Sequence, residues 1–220
     1  MRAIKYLLLG VLLLSGCTSV FGQDYSKKSV KELLSLAEQG DAFAQSNLGV
    51  RYSLGEGVPK DDQEAFKWYK RAANQGNTKA QYNLGVMYND GQGVRKNQQK
   101  ACWWWRVAAE HGNARAQYNL GGSYAIGQGV PQDYQLAVKW FKLAAEQGFA
   151  EAQLHLGTMY QRGEGVPRDY VLAYKWMNLS AAQGIIEDAP KYRDELDKNM
   201  TPSQITEAQK LSREFKPKKE

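Results

Sequence analysis

The sequence predicts an all-α solenoid of helix–turn–helix units, and three observations carry that prediction. Residues recur with a fixed period of 36. Each period contains two stretches with apolar residues at helical spacing. Glycine, at 21 of 220 residues, marks the same places in every period. Gly40, Gly76, Gly112, Gly148 and Gly184 share one phase, and Gly49, Gly85, Gly121 and Gly157 share a second. Gly55, Gly91, Gly127 and Gly163 form a third, and Gly57, Gly93, Gly129 and Gly165 a fourth. Only Gly10, Gly16, Gly22 and Gly122 fall outside these phases. Leu48/Leu84/Leu120/Leu156, Tyr52/Tyr88/Tyr124/Tyr160 and Trp68/Trp104/Trp140/Trp176 keep the same spacing.

Within the first unit, Ala44, Leu48 and Tyr52 stand at i, i+4 and i+8, one face of a helix A near residues 41–54. Gly49 leaves a notch beside that face. It costs about 1 kcal/mol of helix propensity relative to alanine, which a close approach of two helices would offset. Gly55 suits the left-handed position that ends a helix, and Gly57-Val58-Pro59 makes the turn. Asp61, repeated as Asn97, Asp133 and Asp169, is placed to cap a helix B near 61–75, whose face carries Ala65, Trp68 and Ala72. Gly76 closes it. A unit of this size cannot bury its own apolar face, so the copies must stack.

The segment Gly-Asp-Ala-Phe-Ala-Gln-Ser-Asn-Leu-Gly-Val-Arg-Tyr, followed by Gly-Glu-Gly-Val-Pro-Lys-Asp, Ala-Phe-Lys-Trp-Tyr and Ala-Ala-Asn-Gln-Gly (residues 40–76), resembles a Sel1-like repeat. That family is related to tetratricopeptide repeats, whose period is about 34; the two extra residues fall in the Gly-x-Gly-Val turn. The resemblance covers four consecutive units, residues 41–184, and implies a right-handed α-solenoid. Residues 29–40 read as an isolated helix B that caps the first unit. Beyond Gly184 the pattern lapses: Asp188 stands where Ala44 would, and Pro190 opposes a regular early helix A. Thr201-Pro202-Ser203-Gln204 then forms a capping box with Pro at N1, followed by a stripe of Ile205, Ala208, Leu211 and Phe215. Residues 185–215 are expected to form capping helices and 216–220 a disordered tail.

The N-terminus reads as an export signal. Arg2 and Lys5 precede an apolar run at 6–14, shorter than the roughly 20 residues of a membrane span. Leu14-Ser15-Gly16-Cys17 resembles the lipobox of bacterial lipoproteins. That resemblance implies removal of residues 1–16 and acylation of Cys17, with 17–28 left as a linker. Thr18, where the family's inner-membrane retention signal has Asp, implies an outer-membrane lipoprotein facing the periplasm. The alternative is ordinary cleavage after Gly22 at Val20-Phe21-Gly22, which yields a soluble periplasmic or secreted protein.

Composition excludes several classes. A chain that is 43% hydrophobic and 11% aromatic has the makings of a core. The net charge of +6 includes Arg2 and Lys5, and the remainder is interspersed in sign. No basic stripe is present, so nucleic acid is not an expected partner.

The search for chemistry finds little. His111 replaces a repeat glutamine and His155 a repeat asparagine, with no ligand-spaced carboxylate or cysteine beside either, so no metal or other cofactor is expected. No serine is followed three residues later by lysine. The Gly-x-Gly turns lack the third glycine and preceding strand of a dinucleotide site. Some Sel1-like proteins are cysteine-rich and linked to β-lactams; here only Cys102 follows Cys17, and it reads as a buried apolar thiol or a partner-pairing one.

Two features point to binding. Trp103 stands where Lys67, Lys139 and Lys175 occupy the other units, the mark of a solvated position, so it reads as an interaction anchor or a local repacking. The column Asn47, Asn83, Asn119 and His155 lies on helix A, which lines the groove in the related tetratricopeptide proteins. Its carboxamides either hold the repeat together or contact the backbone of an extended peptide. The expected function is a non-catalytic scaffold of the cell envelope that binds an unidentified protein or peptide in its groove. The alternatives are a β-lactamase-like or accessory cell-wall enzyme and a secreted or surface factor engaging host proteins.

Overall fold

The computed structural model describes residues 24–218. The signal segment and Cys17 lie outside the described residues, as do Lys219 and Glu220. A 3-10 turn at Tyr25–Lys27 leads into α1 (Val30–Glu38). Four hairpins follow: α2 (Ala42–Leu54) with α3 (Asp62–Asn74), and α4 (Thr78–Asp90) with α5 (Gln98–Glu110). Then come α6 (Ala114–Ile126) with α7 (Tyr134–Glu146), and α8 (Ala150–Arg162) with α9 (Tyr170–Ala182). Two closing helices, α10 (Ala189–Asp197) and α11 (Pro202–Glu214), both pack on α9. No strand occurs among the described residues, and the architecture is the α-solenoid that the period predicts.

Local chemistry sets each boundary. Asp61 accepts from the backbone N–H groups of Gln63 and Glu64, and Asn97, Asp133 and Asp169 cap the later B helices in the same way. Asp41, Asn77 and Asn113 cap α2, α4 and α6, whereas α8 begins at Phe149 with no side-chain cap. Gly91, at φ +78°, ends α4 in the left-handed region and donates to the Met87 carbonyl. Gly93, at φ +63°, lies against the backbone of Asp62, where an added Cβ would collide. The turn of one unit therefore rests on the start of helix B of the preceding unit.

Within each hairpin the glycine notch meets a large side chain. A Cβ on Gly49 would stand 2.5 Å from the Tyr69 ring, and one on Gly121 2.8 Å from Phe141. Gly85 receives Trp105 and Gly157 receives Met177 in the same manner. Behind these contacts Ala44, Ala80, Ala116 and Ala152 are wholly buried, as are Leu48, Leu84, Leu120 and Leu156.

A glutamine relay joins the hairpins. Gln45, Gln81, Gln117 and Gln153 donate Nε2 to the carbonyls of Ala37, Ala73, Ala109 and Ala145, at 3.0, 3.2, 3.1 and 3.2 Å. The Oε1 atoms of Gln45, Gln117 and Gln153 accept from Gln75, Gln147 and Gln183 at 2.8, 2.8 and 2.9 Å. Each of these amides is thus satisfied on both sides away from water. The relay breaks once, at His111. Its Nδ1 meets the Val107 carbonyl of its own helix at 2.8 Å, and Gln81 Oε1 is left buried without a partner.

At the C-terminal end α10 starts later than the period would place a helix A, with Pro190 in its first turn, where the missing N–H has no intrahelical acceptor. The Thr201/Gln204 capping box forms as read from the sequence. Phe215 sets its ring edge-on against Trp176 at 5.5 Å. Residues 216–218 differ from the expected disordered tail. Lys218 donates its backbone N–H to the Glu146 carbonyl at 2.8 Å and pairs its ammonium with the Glu146 carboxylate at 2.6 Å.

The relay yields a stability test. His111→Gln supplies the missing donor to Gln81 Oε1, so it should raise unfolding free energy by about 1 kcal/mol. This would be read as a higher urea midpoint at unchanged slope; an unaltered or lower midpoint would refute the relay.

Candidate functional site

The A helices of units two to four line an open groove with two depressions that share Tyr82. The first, about 670 Å³, runs over Val86, Asn119, Gly122, His155 and Thr158, with Trp105 and Phe141 of the B helices among its lining. The second, about 920 Å³, is formed by the first turns of α4 and α6 with Asn83, His111, Phe149 and Lys218.

Aromatic rings organise the region between them. Tyr118 stands 5.8 Å from Phe141, 5.2 Å from Phe149 and 5.7 Å from His155, and the His155 imidazole stacks on Phe141 at 5.3 Å with the planes 10° apart. Burial pushes the Tyr118 phenol up, and nearby Glu151 adds to the shift. His155 remains open to solvent, but the groove walls around it disfavour the imidazolium. Its pKa lies below the ordinary 6.5 through that desolvation, with Glu151 opposing.

The predicted column is divided. Asn119 and His155 line the first depression and Asn83 the second, while Asn47, on the outermost α2, lines neither. Asn47 donates to the Phe43 carbonyl of its own helix at 2.8 Å, and Asn83 lies beside the Tyr69 hydroxyl. Trp103 sits on α5 and lines neither depression; it is 55% exposed, its ring edge-on to Trp104 at 4.5 Å. Lys139 and Lys175 cover Trp140 and Trp176 from the same position, at 5.2 and 4.5 Å, so Trp103 is the apolar form of a contact that units three and four make with a cation. Cys102 is buried with its thiol donating to the Gln128 carbonyl at 3.1 Å, and burial raises its pKa.

Four further residues contribute to the groove without a signal of chemistry in the sequence. Phe149 replaces the Asp/Asn cap of the other A helices, Tyr82 and Tyr118 share a column with Ser46 and Leu154, and Gly122 was noted only as out of phase. A column-by-column comparison of the four units singles out Phe149 and Gly122. No group of three His, Cys, Asp or Glu side chains that could hold a metal occurs among the described residues.

The Sel1 repeat family model matches residues 42–77, 78–113, 114–149 and 150–185. The chain belongs to the Sel1 repeat family. Sel1 repeats serve generally as protein-interaction scaffolds. Among solved structures, a Sel1 repeat protein from Oxalobacter formigenes is 40% identical with a TM-score of 0.71, covering 76% of this chain and 49% of that one. The protein c5321, described as a protective antigen present in uropathogenic Escherichia coli strains, is 32% identical with a TM-score of 0.57, covering 84% and 48%. The immunity protein PA5088 of Pseudomonas aeruginosa, 24% identical with a TM-score of 0.51 and covering 84% and 72%, shares the fold. The chain thus spans about half the length of the first two. Among curated proteins, none matches it.

The depressed His155 pKa gives a pH signature. As pH falls through 6.5 the unfolded chain takes up this proton before the folded one does, so the residue subtracts stability progressively until pH drops below its folded value. His155→Asn, the residue of the other units, should lose less stability than wild type between pH 7.5 and 5.5 in paired urea titrations. Equal losses would show that the groove does not desolvate the ring.

Proposed function

We propose that this Sel1 repeat protein is a non-catalytic scaffold that holds an extended segment of a protein partner across the A helices of units two to four. The observation that carries this reading is the groove itself. It presents aromatic rings, the amide of Asn119 and two cations, Lys79 and Arg115, that are unpaired among the described residues, while the opposite sides of the same helices are consumed by packing. The side-chain amide of Asn119 makes no hydrogen bond among the described residues and faces the first depression, so it is free to pair with a peptide backbone, which needs donor and acceptor together. Flat aromatic faces give contact area at low entropic cost.

The same proposal places the scaffold in the bacterial envelope. The charged, apolar and small-residue succession of residues 1–16 and the Leu-Ser-Gly-Cys ending at Cys17 support export and acylation at that cysteine. Several acyl chains exceed the two signals needed for stable anchoring. The repeats would then stand on a short linker at the outer membrane, facing the periplasm.

In living cells, a photocrosslinking residue at Asn119 or Asn83 should capture a discrete protein species. The same residue at exposed Lys139, on helix α7, should not; equal capture from all three positions, or none above background, would remove the groove from the reading. Separately, fatty-acid labelling should mark the wild type and spare Cys17→Ala, and an unlabelled wild type would return the chain to cleavage after Gly22.

A further inference from the structure

Gly122 has no structural use. The glycine beside it, Gly121, makes room for Phe141, and each of the other notch glycines likewise meets a large neighbour. An added Cβ on Gly122 would meet nothing within 4 Å, although glycine inside a helix costs about 1 kcal/mol against alanine. The other units place Val50, Val86 and Thr158 at this position. Val86 and Thr158 line the same depression, so loss of the side chain between them deepens it at one point. Trp105, Tyr118 and Phe141 are among the other residues that line this depression. Trp105 is only 6% exposed, its buried indole N–H lying against Gly85 with no acceptor among the described residues.

Charge marks the neighbouring depression. Lys79 and Arg115 project from the first turns of α4 and α6, one turn before Tyr82 and Tyr118, and neither makes an ion pair among the described residues. The carboxylate there, Glu146, is held by Lys218. The same column carries Phe43 in the first unit and Glu151 in the fourth, so the cationic stretch is confined to units two and three. The positive ends of the α4 and α6 dipoles add to it.

We infer that the cavity at Gly122 is a specificity pocket for an aromatic side chain of the bound segment, and that Lys79 and Arg115 select carboxylates within a few residues of it. The inference rests on the groove-binding reading and narrows it to one class of partner, an acidic segment with an aromatic anchor. An inserted ring meets the aromatic lining that Tyr118, Phe141 and Trp105 give the depression. Arg115 and Gly122 lie seven residues apart on α6, about 10.5 Å along the helix axis, and extended peptide advances about 3.3 Å per residue, so the carboxylate stands about three residues from the aromatic anchor.

Three fluorescein-labelled, end-blocked nonapeptides test this against the purified full chain by anisotropy: glutamate-flanked with central Phe, glutamate-flanked with central Ala, and lysine-flanked with central Phe. The first should bind at least about tenfold more tightly than either other. Gly122→Val, and Gly122→Thr as a second filling variant, should abolish the Phe-over-Ala preference while circular dichroism is unchanged and the unfolding midpoint is equal or higher. Lys79→Glu with Arg115→Glu should abolish the preference for glutamate. Retention of the Phe preference in both filled variants, tighter binding of the lysine peptide, or no binding of any peptide would each overturn the inference. Crosslinking from Asn119 reports on groove occupancy independently, so a captured partner together with indifferent Gly122 variants refutes the pocket and leaves the groove standing.

Discussion

The separation of the two helices in each hairpin depends on a position without a side chain. Gly49, Gly85, Gly121 and Gly157 let helix B place Tyr69, Trp105, Phe141 or Met177 against the backbone of helix A. A methyl group there would push the helices apart against a close-packed interior, where even one extra methylene is felt. The wholly buried Ala44 and Leu48 columns require that same distance. The cost in helix propensity is offset by contact with a large side chain, and the groove inherits its floor from it: Trp105 and Phe141 reach the groove because their notches bring them close.

Stacking of hairpins rests on a different interaction. The buried glutamines tie helix A of one unit to the carbonyl end of the preceding helix B and to the glutamine that ends its own. A relay of this kind fixes register because an amide offers both donor and acceptor, and slippage would orphan both in a dry interior. Its interruption at His111, which lines the second depression, leaves the buried Gln81 Oε1 without a donor. The described structure shows no gain that offsets this loss.

Most of the frame was legible because local rules govern it. Helix ends followed from Gly91 and Asp61, whose caps involve residues at most four away, and the stack followed from units too small to stand alone. The groove was less legible. The gathering of Tyr118, Phe141, Phe149 and His155 draws on α6, α7, the turn before α8 and α8, and no spacing within one unit announces it. The lone Gly122 stood out only as an exception. The path of residues 216–218 depends on an ion pair across 72 positions of chain, and Lys-Pro-Lys reads as a free tail until Glu146 is in place.

Four copies in one chain form an internal comparison that separates packing from recognition. The alanine, leucine and glutamine columns of helix A are identical in all four units, because each copy must present its neighbour with the same surface. The columns that face the groove change: Phe43, Lys79, Arg115 and Glu151; Ser46, Tyr82, Tyr118 and Leu154; Val50, Val86, Gly122 and Thr158. A repeated side chain such as the asparagine of Asn47, Asn83 and Asn119 can engage only what a ligand repeats, its main chain. Preference for one ligand sequence over another must come from columns that break the period. An added Cβ at Gly122 would meet nothing, so departure from the period there serves no packing need.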